Sequence, residues 1–129
     1  MLKSVLIAED DDSLRETLKA FFNRCFPEVV VLEAKNGLEA KKLLEASLKD
    51  GAEKFNLLIT DVIMPEMDGH KLADFVRNTP ELAGMPIIKM SGTFTNAELR
   101  KAVEQGYPVF QKPFKFSELD AVIADIFPS

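Results

Sequence analysis

The sequence predicts an α/β fold in which helices cover both faces of a doubly wound, five-stranded parallel sheet. Short apolar segments alternate five times with longer segments in which apolar residues recur at helical spacing. The apolar segments contain few polar positions, as is typical of parallel strands buried on both faces. A chain of 129 residues suits one core. We therefore expect residues 1–129 to form a single domain.

The predicted strands are short runs rich in Val, Leu and Ile, such as EVVVLEA and FNLLIT. They are Leu2–Ala8, Glu28–Ala34, Phe55–Thr60, Pro86–Met90 and Pro108–Gln111. Lys89 is unusual inside such a run. We expect its long side chain to reach outward to solvent at the end of the fourth strand.

The predicted helices carry their apolar residues on one face and are bounded by capping or turn residues. They are Ser13–Phe26, Leu38–Leu48, His70–Asn78, Ala97–Gln105 and Ser117–Phe127. Side chains that accept hydrogen bonds from free backbone amides favour helix starts. On that basis Asp12 or Ser13 is expected to cap the first helix, Asp68 the third and Ser117 the fifth. His70 is expected to lie exposed in the first turn of the third helix.

Composition excludes several classes of function. The net charge of −5 and the absence of clustered Lys and Arg argue against direct binding to nucleic acid. The apolar run before Glu9 is too short for a signal-peptide core or a membrane span. Cys25 is the single cysteine, so no internal disulfide can form, and we interpret it as a small buried side chain. These features together predict a cytoplasmic protein.

The residues that follow the strands are the candidate functional residues. In a doubly wound sheet, ligands bind at the carboxyl ends of the strands. The first strand ends in Glu9 and Asp10, the third in Asp61, the fourth in Ser91 and the fifth in Lys112. Three acids, one hydroxyl and one ammonium group should therefore meet at one rim.

This set of side chains suggests metal-assisted phosphoryl transfer. Carboxylates placed close together repel unless a cation joins them. Oxygen ligands without imidazole or thiol partners suit Mg²⁺ or Mn²⁺. A carboxylate can act as a nucleophile and form an acyl phosphate. A divalent ion and a Lys ammonium would offset the charge on a transferring phosphoryl group.

Four segments resemble the receiver domains of two-component response regulators. They are VLIAEDDDSLR, LLITDVIMPEMDG, PIIKMSG and QKPF, and the resemblance extends from Val5 to about Ile126. The second segment is the most specific, because an acid at a strand end rarely precedes Met-Pro-x-Met-Asp-Gly outside this family. The resemblance implies the flavodoxin-like strand order 2-1-3-4-5, which is also the order in a chemotaxis regulator of this family.

The resemblance assigns roles to residues of this chain. Asp61 is implied to be the phosphoacceptor, Ser91 the switch hydroxyl and Lys112 the residue that pairs with the phosphoryl group. The Lys112–Pro113 bond is implied to be cis. For Mg²⁺ or Mn²⁺, Asp10 and Asp61 are the implied direct ligands. Glu9 is implied to act through water, and Ile63 to offer its backbone carbonyl.

The implied activity is transfer of a phosphoryl group to Asp61 from a histidine kinase, a phosphotransfer protein or a small phosphodonor. Slow hydrolysis of the acyl phosphate would reset the protein, which is a switch rather than a turnover enzyme. The implied output surface is formed by the fourth helix, fifth strand and fifth helix. An output protein or domain would dock there. The receiver could act alone or belong to a longer chain.

Three positions depart from the family pattern. Val109 lies three residues before Lys112, where many members carry an aromatic partner of the switch hydroxyl, and Phe110 or Tyr107 could substitute for it. The segment 45–56 is longer than usual, and we interpret it as an extended second helix followed by a polar loop. Lys89 replaces the apolar residue common two positions before the switch hydroxyl.

Three alternative functions remain at this stage. A phosphorylation-independent interaction module would keep the fold without using the rim. A flavin-binding protein would need a phosphate-cradling loop after the first strand, where the acids would repel phosphate. A haloacid-dehalogenase-like phosphatase usually has a second Asp two residues after its nucleophile, where this chain has Ile63.

Overall fold

The structure is a computed structural model, and it describes residues 3–128. Five strands and five helices alternate along the chain. The strands are β1 (Lys3–Ala8), β2 (Val29–Ala34), β3 (Leu57–Asp61), β4 (Ile87–Ser91) and β5 (Val109–Gln111). The helices are α1 (Asp12–Cys25), α2 (Gly37–Ala46), α3 (Gly69–Asn78), α4 (Asn96–Gln105) and α5 (Phe116–Ile126). The predicted alternation of strands and helices is confirmed. The predicted strand start at Leu2 lies outside the described residues.

The strands form one parallel sheet in the order β2-β1-β3-β4-β5. The doubly wound class and the strand order implied by the resemblance are both confirmed. Because every strand runs in the same direction, the residues after β1, β3, β4 and β5 lie along one rim. The order also places β1 beside β3 and β4 beside β5.

The core consists of two apolar layers, one on each face of the sheet. Side chains alternate between the faces, so Val5 and Ile7 lie in one layer while Leu6 and Ala8 lie in the other. The first layer is completed by α1 and α5, and the second by α2 and α3. Their fully buried contributions include Leu18, Phe22, Leu119 and Ile123 in the first layer and Leu44, Leu72 and Val76 in the second. Within residues 3–128, no helix has both the length and the apolar character needed to cross a bilayer.

Helix starts differ from the prediction at two places. Asp11 caps α1, because its carboxylate accepts hydrogen bonds from the backbone amides of Ser13 and Leu14 at 2.9 and 3.3 Å. Asp12 and Ser13 are the first residues inside that helix, so neither predicted cap is correct. Ser117 also lies inside its helix, and α5 has no side-chain cap.

Two further predictions are wrong. Helix α2 ends at Ala46, and the segment that follows continues as turns, with Leu48 and Lys49 donating to carbonyls three residues earlier. The extra length is therefore not helical. Cys25 is exposed at the end of α1, because the buried face of this helix is formed by Leu18 and Phe22.

Asp68 caps α3 as predicted, with its side chain accepting from the Lys71 amide at 2.8 Å. Gly69 follows it and packs directly against the end of β3. A Cβ atom at Gly69 would lie 2.1 Å from the carbonyl oxygen of Asp61. The chain thus needs a residue without a side chain at this point, which explains the Gly of the MPEMDG segment.

Gly69→Ala is expected to destabilise the protein by about 1–3 kcal/mol, because the methyl group has to displace the backbone that carries Asp61. Gly84→Ala is the control, because a Cβ at Gly84 meets no atom within 4 Å. Urea denaturation monitored by circular dichroism measures both changes. Equal stabilities for the two variants would contradict the close approach.

Candidate active site at the carboxyl rim of the sheet

Glu9 is the first residue after β1, and its side chain is completely buried. Its Oε2 atom accepts a hydrogen bond from the Asp11 amide at 3.1 Å. Its backbone carbonyl accepts from Arg15 Nη1 at 2.8 Å, and its amide donates to the Ala34 carbonyl at 3.0 Å. These contacts hold the turn between β1 and α1 in one conformation.

Arg15 is a contributor to the site that the sequence prediction missed. This residue is buried in the first turn of α1, where its guanidinium also pairs with Asp12 and lies 3.5 Å from Glu33. The pairing with Asp12 lowers the pKa of that carboxyl through a hydrogen bond and through charge. Arg15 thereby connects the second half of the acidic block to the backbone of Glu9.

Glu9, Asp10 and Asp61 come together as predicted. Each offers a carboxylate oxygen, and these three oxygens lie within 4.8 Å of one another. Glu9 and Asp61 are buried, while Asp10 is exposed at the edge of the rim. Carboxylate oxygens beside solvent, without nitrogen or sulfur ligands, fit a hard divalent cation that keeps part of its water shell. The donor set therefore suits Mg²⁺ or Mn²⁺.

Lys112 joins two of these acids. Its Nζ atom lies 2.8 Å from Glu9 Oε1 and 3.4 Å from Asp61 Oδ2. The Lys112 amide donates to the carbonyl of Ser91 at 2.8 Å, which attaches the end of β5 to the end of β4. The bond between Lys112 and Pro113 is cis, in agreement with the resemblance.

The electrostatics of the rim favour an additional positive charge. Burial raises the pKa of Glu9 to about 7, although hydrogen bonds from Lys112 and from the Asp11 amide oppose this change. Burial also acts to lower the pKa of Lys112. The hydrogen bond and charge of Glu9, with the charge of Asp61, outweigh it, so the pKa of Lys112 lies above its ordinary value. A bound cation would reduce the cost of keeping Glu9 ionised.

Asp61 is the last residue of β3 and is 6% exposed. Its Oδ1 atom accepts from the Val62 amide at 2.9 Å, while Oδ2 faces Lys112. Thr60 donates to its backbone carbonyl at 2.8 Å. The carboxylate is thus held in a defined orientation at the rim. The side chain of Ile63, two residues further on, is exposed, and the use of its carbonyl as a metal ligand stays a prediction.

Ser91 ends β4 and is buried, whereas Thr93 is exposed in the loop that leads to α4. The Ser91 hydroxyl oxygen accepts from the Thr93 amide at 3.2 Å and lies 3.3 Å from the Thr93 hydroxyl. Ser91 therefore sits between the rim and the loop before α4. A change in its hydrogen bonding would act directly on that loop.

The aromatic residues near the end of β5 have other partners. Val109 pairs with Lys89 across the sheet. Phe110 is buried in the layer with α1 and α5, where its ring packs against Phe114. The ring of Tyr107 lies beside the charged ends of Arg77 and Lys89, at 4.8 and 4.9 Å. Neither ring thus occupies the position of the aromatic partner that the family pattern places at Val109.

His70 lies in the first turn of α3 as predicted, but its exposure and the position of Lys89 differ from the prediction. Lys89 is buried, and its Nζ atom lies 3.0 Å from Nδ1 of His70. His70 is only partly exposed, with Nε2 at 2.7 Å from Glu98 Oε2. The prediction that Lys89 reaches solvent is wrong because α3, α4 and Tyr107 surround the end of β4. Burial lowers the pKa of Lys89.

Curated relatives resemble this chain over nearly all of its length. The transcriptional regulatory protein CrdR of Helicobacter pylori is 35% identical over 128 residues, which are 98% of this chain and 56% of CrdR. The regulator of RpoS of Escherichia coli is 32% identical, and the match covers 98% of this chain and 36% of that protein. The chain thus spans about half or less of the length of these relatives.

Two solved structures also resemble this chain in fold. The signal receiver domain of a DNA-binding response regulator from Colwellia psychrerythraea superposes with a TM-score of 0.84 at 28% identity, with 98% of both chains covered. The chemotaxis protein CheY4 of Vibrio cholerae, at 21% identity, shares the fold with a TM-score of 0.79, covering 98% of this chain and 99% of CheY4. The profile of the response regulator receiver domain matches residues 5–124. The chain therefore belongs to the family of response regulator receiver domains.

Proposed function

We propose that this chain is a single receiver domain, spanning residues 1–129, that works as a phosphorylation-activated switch in the cytoplasm. The observation that carries the proposal is the bridge made by Lys112 between buried Glu9 and Asp61 at the rim. Asp61 offers a fixed carboxylate next to an ammonium group and two further acids. This arrangement suits a nucleophile that accepts a phosphoryl group.

In the proposed reaction, a carboxylate oxygen of Asp61 attacks phosphorus in line with the leaving group. The bond from phosphorus to the donor breaks, and the donor leaves with the electron pair. The donor is a phosphohistidine of a histidine kinase or phosphotransfer protein, or a small molecule such as acetyl phosphate. Mg²⁺ or Mn²⁺, when held by Glu9, Asp10, Asp61 and the Ile63 carbonyl, would offset charge on the transferring group.

Each protein group has a separate task in this proposal. Lys112 moves part of its pairing from the carboxylates to the phosphoryl oxygens. The Ser91 hydroxyl donates to a phosphoryl oxygen and thereby changes its contacts with Thr93. A hydrogen bond to a charged group contributes roughly 1.5–3 kcal/mol, whereas full switching needs about 5.5 kcal/mol. Contacts of Lys112 and repacking of the loop before α4 must supply the rest of the free energy needed for switching.

The proposed output surface consists of α4, β5 and α5, where a partner protein or domain docks. The exposed Val103 lies on α4. One relative that is 30% identical over 122 residues is the sensor histidine kinase CheAY of Helicobacter pylori. The match covers 14% of that kinase, and a histidine kinase is one donor that we propose for this chain. No membrane or nucleic-acid contact is part of the proposal.

Asp61→Asn is expected to abolish incorporation of phosphoryl groups from acetyl phosphate, because the amide oxygen is a poor nucleophile. Intact mass spectrometry measures the incorporation. Asp68→Asn is the matched control, since it removes one nearby acid while Asn still caps α3. Equal labelling of the Asp61 variant and the wild type would contradict the assignment. A wild type that takes up no phosphoryl group would favour a phosphorylation-independent interaction module.

Glu9→Gln is expected to weaken Mg²⁺ binding by about 10–100-fold, because this acid acts on the ion through its hydration shell. Isothermal titration calorimetry measures the affinity. Asp11→Asn removes one charge from the same block but keeps the α1 cap, so it should bind Mg²⁺ like the wild type. Equal losses in both variants would mean that only the total charge of the block matters.

Ser91→Ala is expected to weaken binding of beryllofluoride, a phosphoryl mimic, by about tenfold or more, because a donor to a charged oxygen is lost. Thr93→Ala should leave the affinity within about threefold, since Thr93 lies outside the rim. Calorimetry with Mg²⁺ present measures both. A larger loss in the Thr93 variant would transfer the switch role to that residue.

A further inference from the structure

A cavity of about 260 Å³ lies between α3 and α4 beside the last strands of the sheet. The charged and titratable side chains that face it are His70 and Asp74 of α3, Lys89 of β4, and Glu98 and Lys101 of α4. Three of them, Lys89, His70 and Glu98, form a continuous chain of hydrogen bonds from the sheet to α4. The proposed phosphorylation mechanism does not use these three residues.

Hydrogen-bond chemistry determines where the protons of this chain lie. A Lys ammonium can only donate, so Nδ1 of His70 must accept from Lys89. Nε2 of His70 then carries the ring proton and donates it to Oε2 of Glu98. The Thr95 amide does not compete for that oxygen, since it donates to the other one, Oε1. The chain is therefore complete only while the imidazole is neutral.

Glu98 is well placed to hold the start of α4. Besides binding His70, it forms a capping box with Thr95, in which each side chain accepts from the other residue's amide. Hydrogen bonds from the Thr95 amide and from His70 lower the pKa of Glu98, so it stays ionised near neutral pH. Among the residues of α4, all of which the structure describes, Ala102 alone is buried. The first turn of this helix thus depends on polar contacts.

We propose that the Lys89–His70–Glu98 chain restrains the first turn of α4 and opens at its Lys89–His70 link when His70 takes up a second proton, while the bond from Nε2 to Glu98 remains as an ion pair. The new proton on Nδ1 would face the ammonium of Lys89, which then has no acceptor there. The charged groups that line the cavity with His70 are the acids Glu98 and Asp74 and the bases Lys89 and Lys101. The restraint itself does not depend on the proposed function. Its consequence for signalling does, because α4 belongs to the proposed output surface and follows the loop after Ser91.

The test uses the whole chain without metal or phosphoryl mimic, and nuclear magnetic resonance is the measurement. His70 is the only histidine, so its ring signal is unambiguous. Between about pH 5 and 8, where imidazole ordinarily titrates, the amides of residues 96–99 are expected to shift with the same midpoint as the His70 ring. An α4 that does not respond while the ring titrates would overturn the proposal.

Amino-acid substitutions provide a second test of the restraint. At one fixed pH near neutrality, His70→Phe is expected to raise amide hydrogen exchange about tenfold at Glu98 and Leu99, whose amides donate to Thr95. Lys71→Gln, an exposed neighbour on the same helix, should exchange like the wild type. Glu98→Gln keeps one acceptor oxygen in place of two, so it can serve the Thr95 amide or His70 but not both and should lose part of the protection, whereas Glu98→Ala should lose all of it. Equal exchange in the His70 and Lys71 variants would refute the restraint.

These outcomes are independent of phosphorylation. A wild type that takes up no phosphoryl group would overturn the proposed function and leave the α4 measurements as they stand. Conversely, phosphorylation on Asp61 without any His70-dependent change in α4 would support the proposed function and refute the restraint.

Discussion

Glu9 and Lys112 form an ion pair across the rim, with the carboxylate fully buried and the ammonium partly so. Removal of either partner from a buried pair leaves an uncompensated charge, which is costly. The pair also sets the position of Asp61, because the same ammonium lies 3.4 Å from its carboxylate. The ends of β1, β3 and β5 are therefore connected through one cation.

The site residues could be predicted from the sequence because topology alone brings them together. Parallel strands that alternate with helices place the residues after each strand on a common rim, and Glu9, Asp10, Asp61 and Lys112 meet there. The strand order, by contrast, followed from the resemblance, since hydrophobic patterns do not say which strands are neighbours. Strand and helix limits differ from the prediction by one or two residues at most ends, as helix ends and strand ends depend on local hydrogen bonds.

Contacts between distant segments account for the errors. Arg15 supports the Glu9 turn from the next helix, but a single Arg inside a helical pattern carries no signal for such a role. Lys89 was expected at the surface, and it is buried because residues from α3 and α4 supply it with partners. Cys25 was expected to be buried, yet Leu18 and Phe22 take the inner face of α1. Each outcome depends on neighbours that are far away in the sequence or on the rotation of a helix.

Strand β4 gives the rim a direct connection to α4. Side chains two residues apart on a strand point to the same face, so Ser91 and Lys89 lie on one side of β4. Ser91 reaches α4 through the backbone of a short loop, whereas Lys89 reaches it through His70 and Glu98. A movement of the loop after Ser91 would displace Thr95, the residue that caps α4. The Lys89–His70–Glu98 chain, which connects α4 to β4 and α3, would resist this displacement. Under the two proposals, α4 would respond to the rim only as far as this second connection permits, and the hydrogen bonds of His70 would contribute to the energetics of the switch.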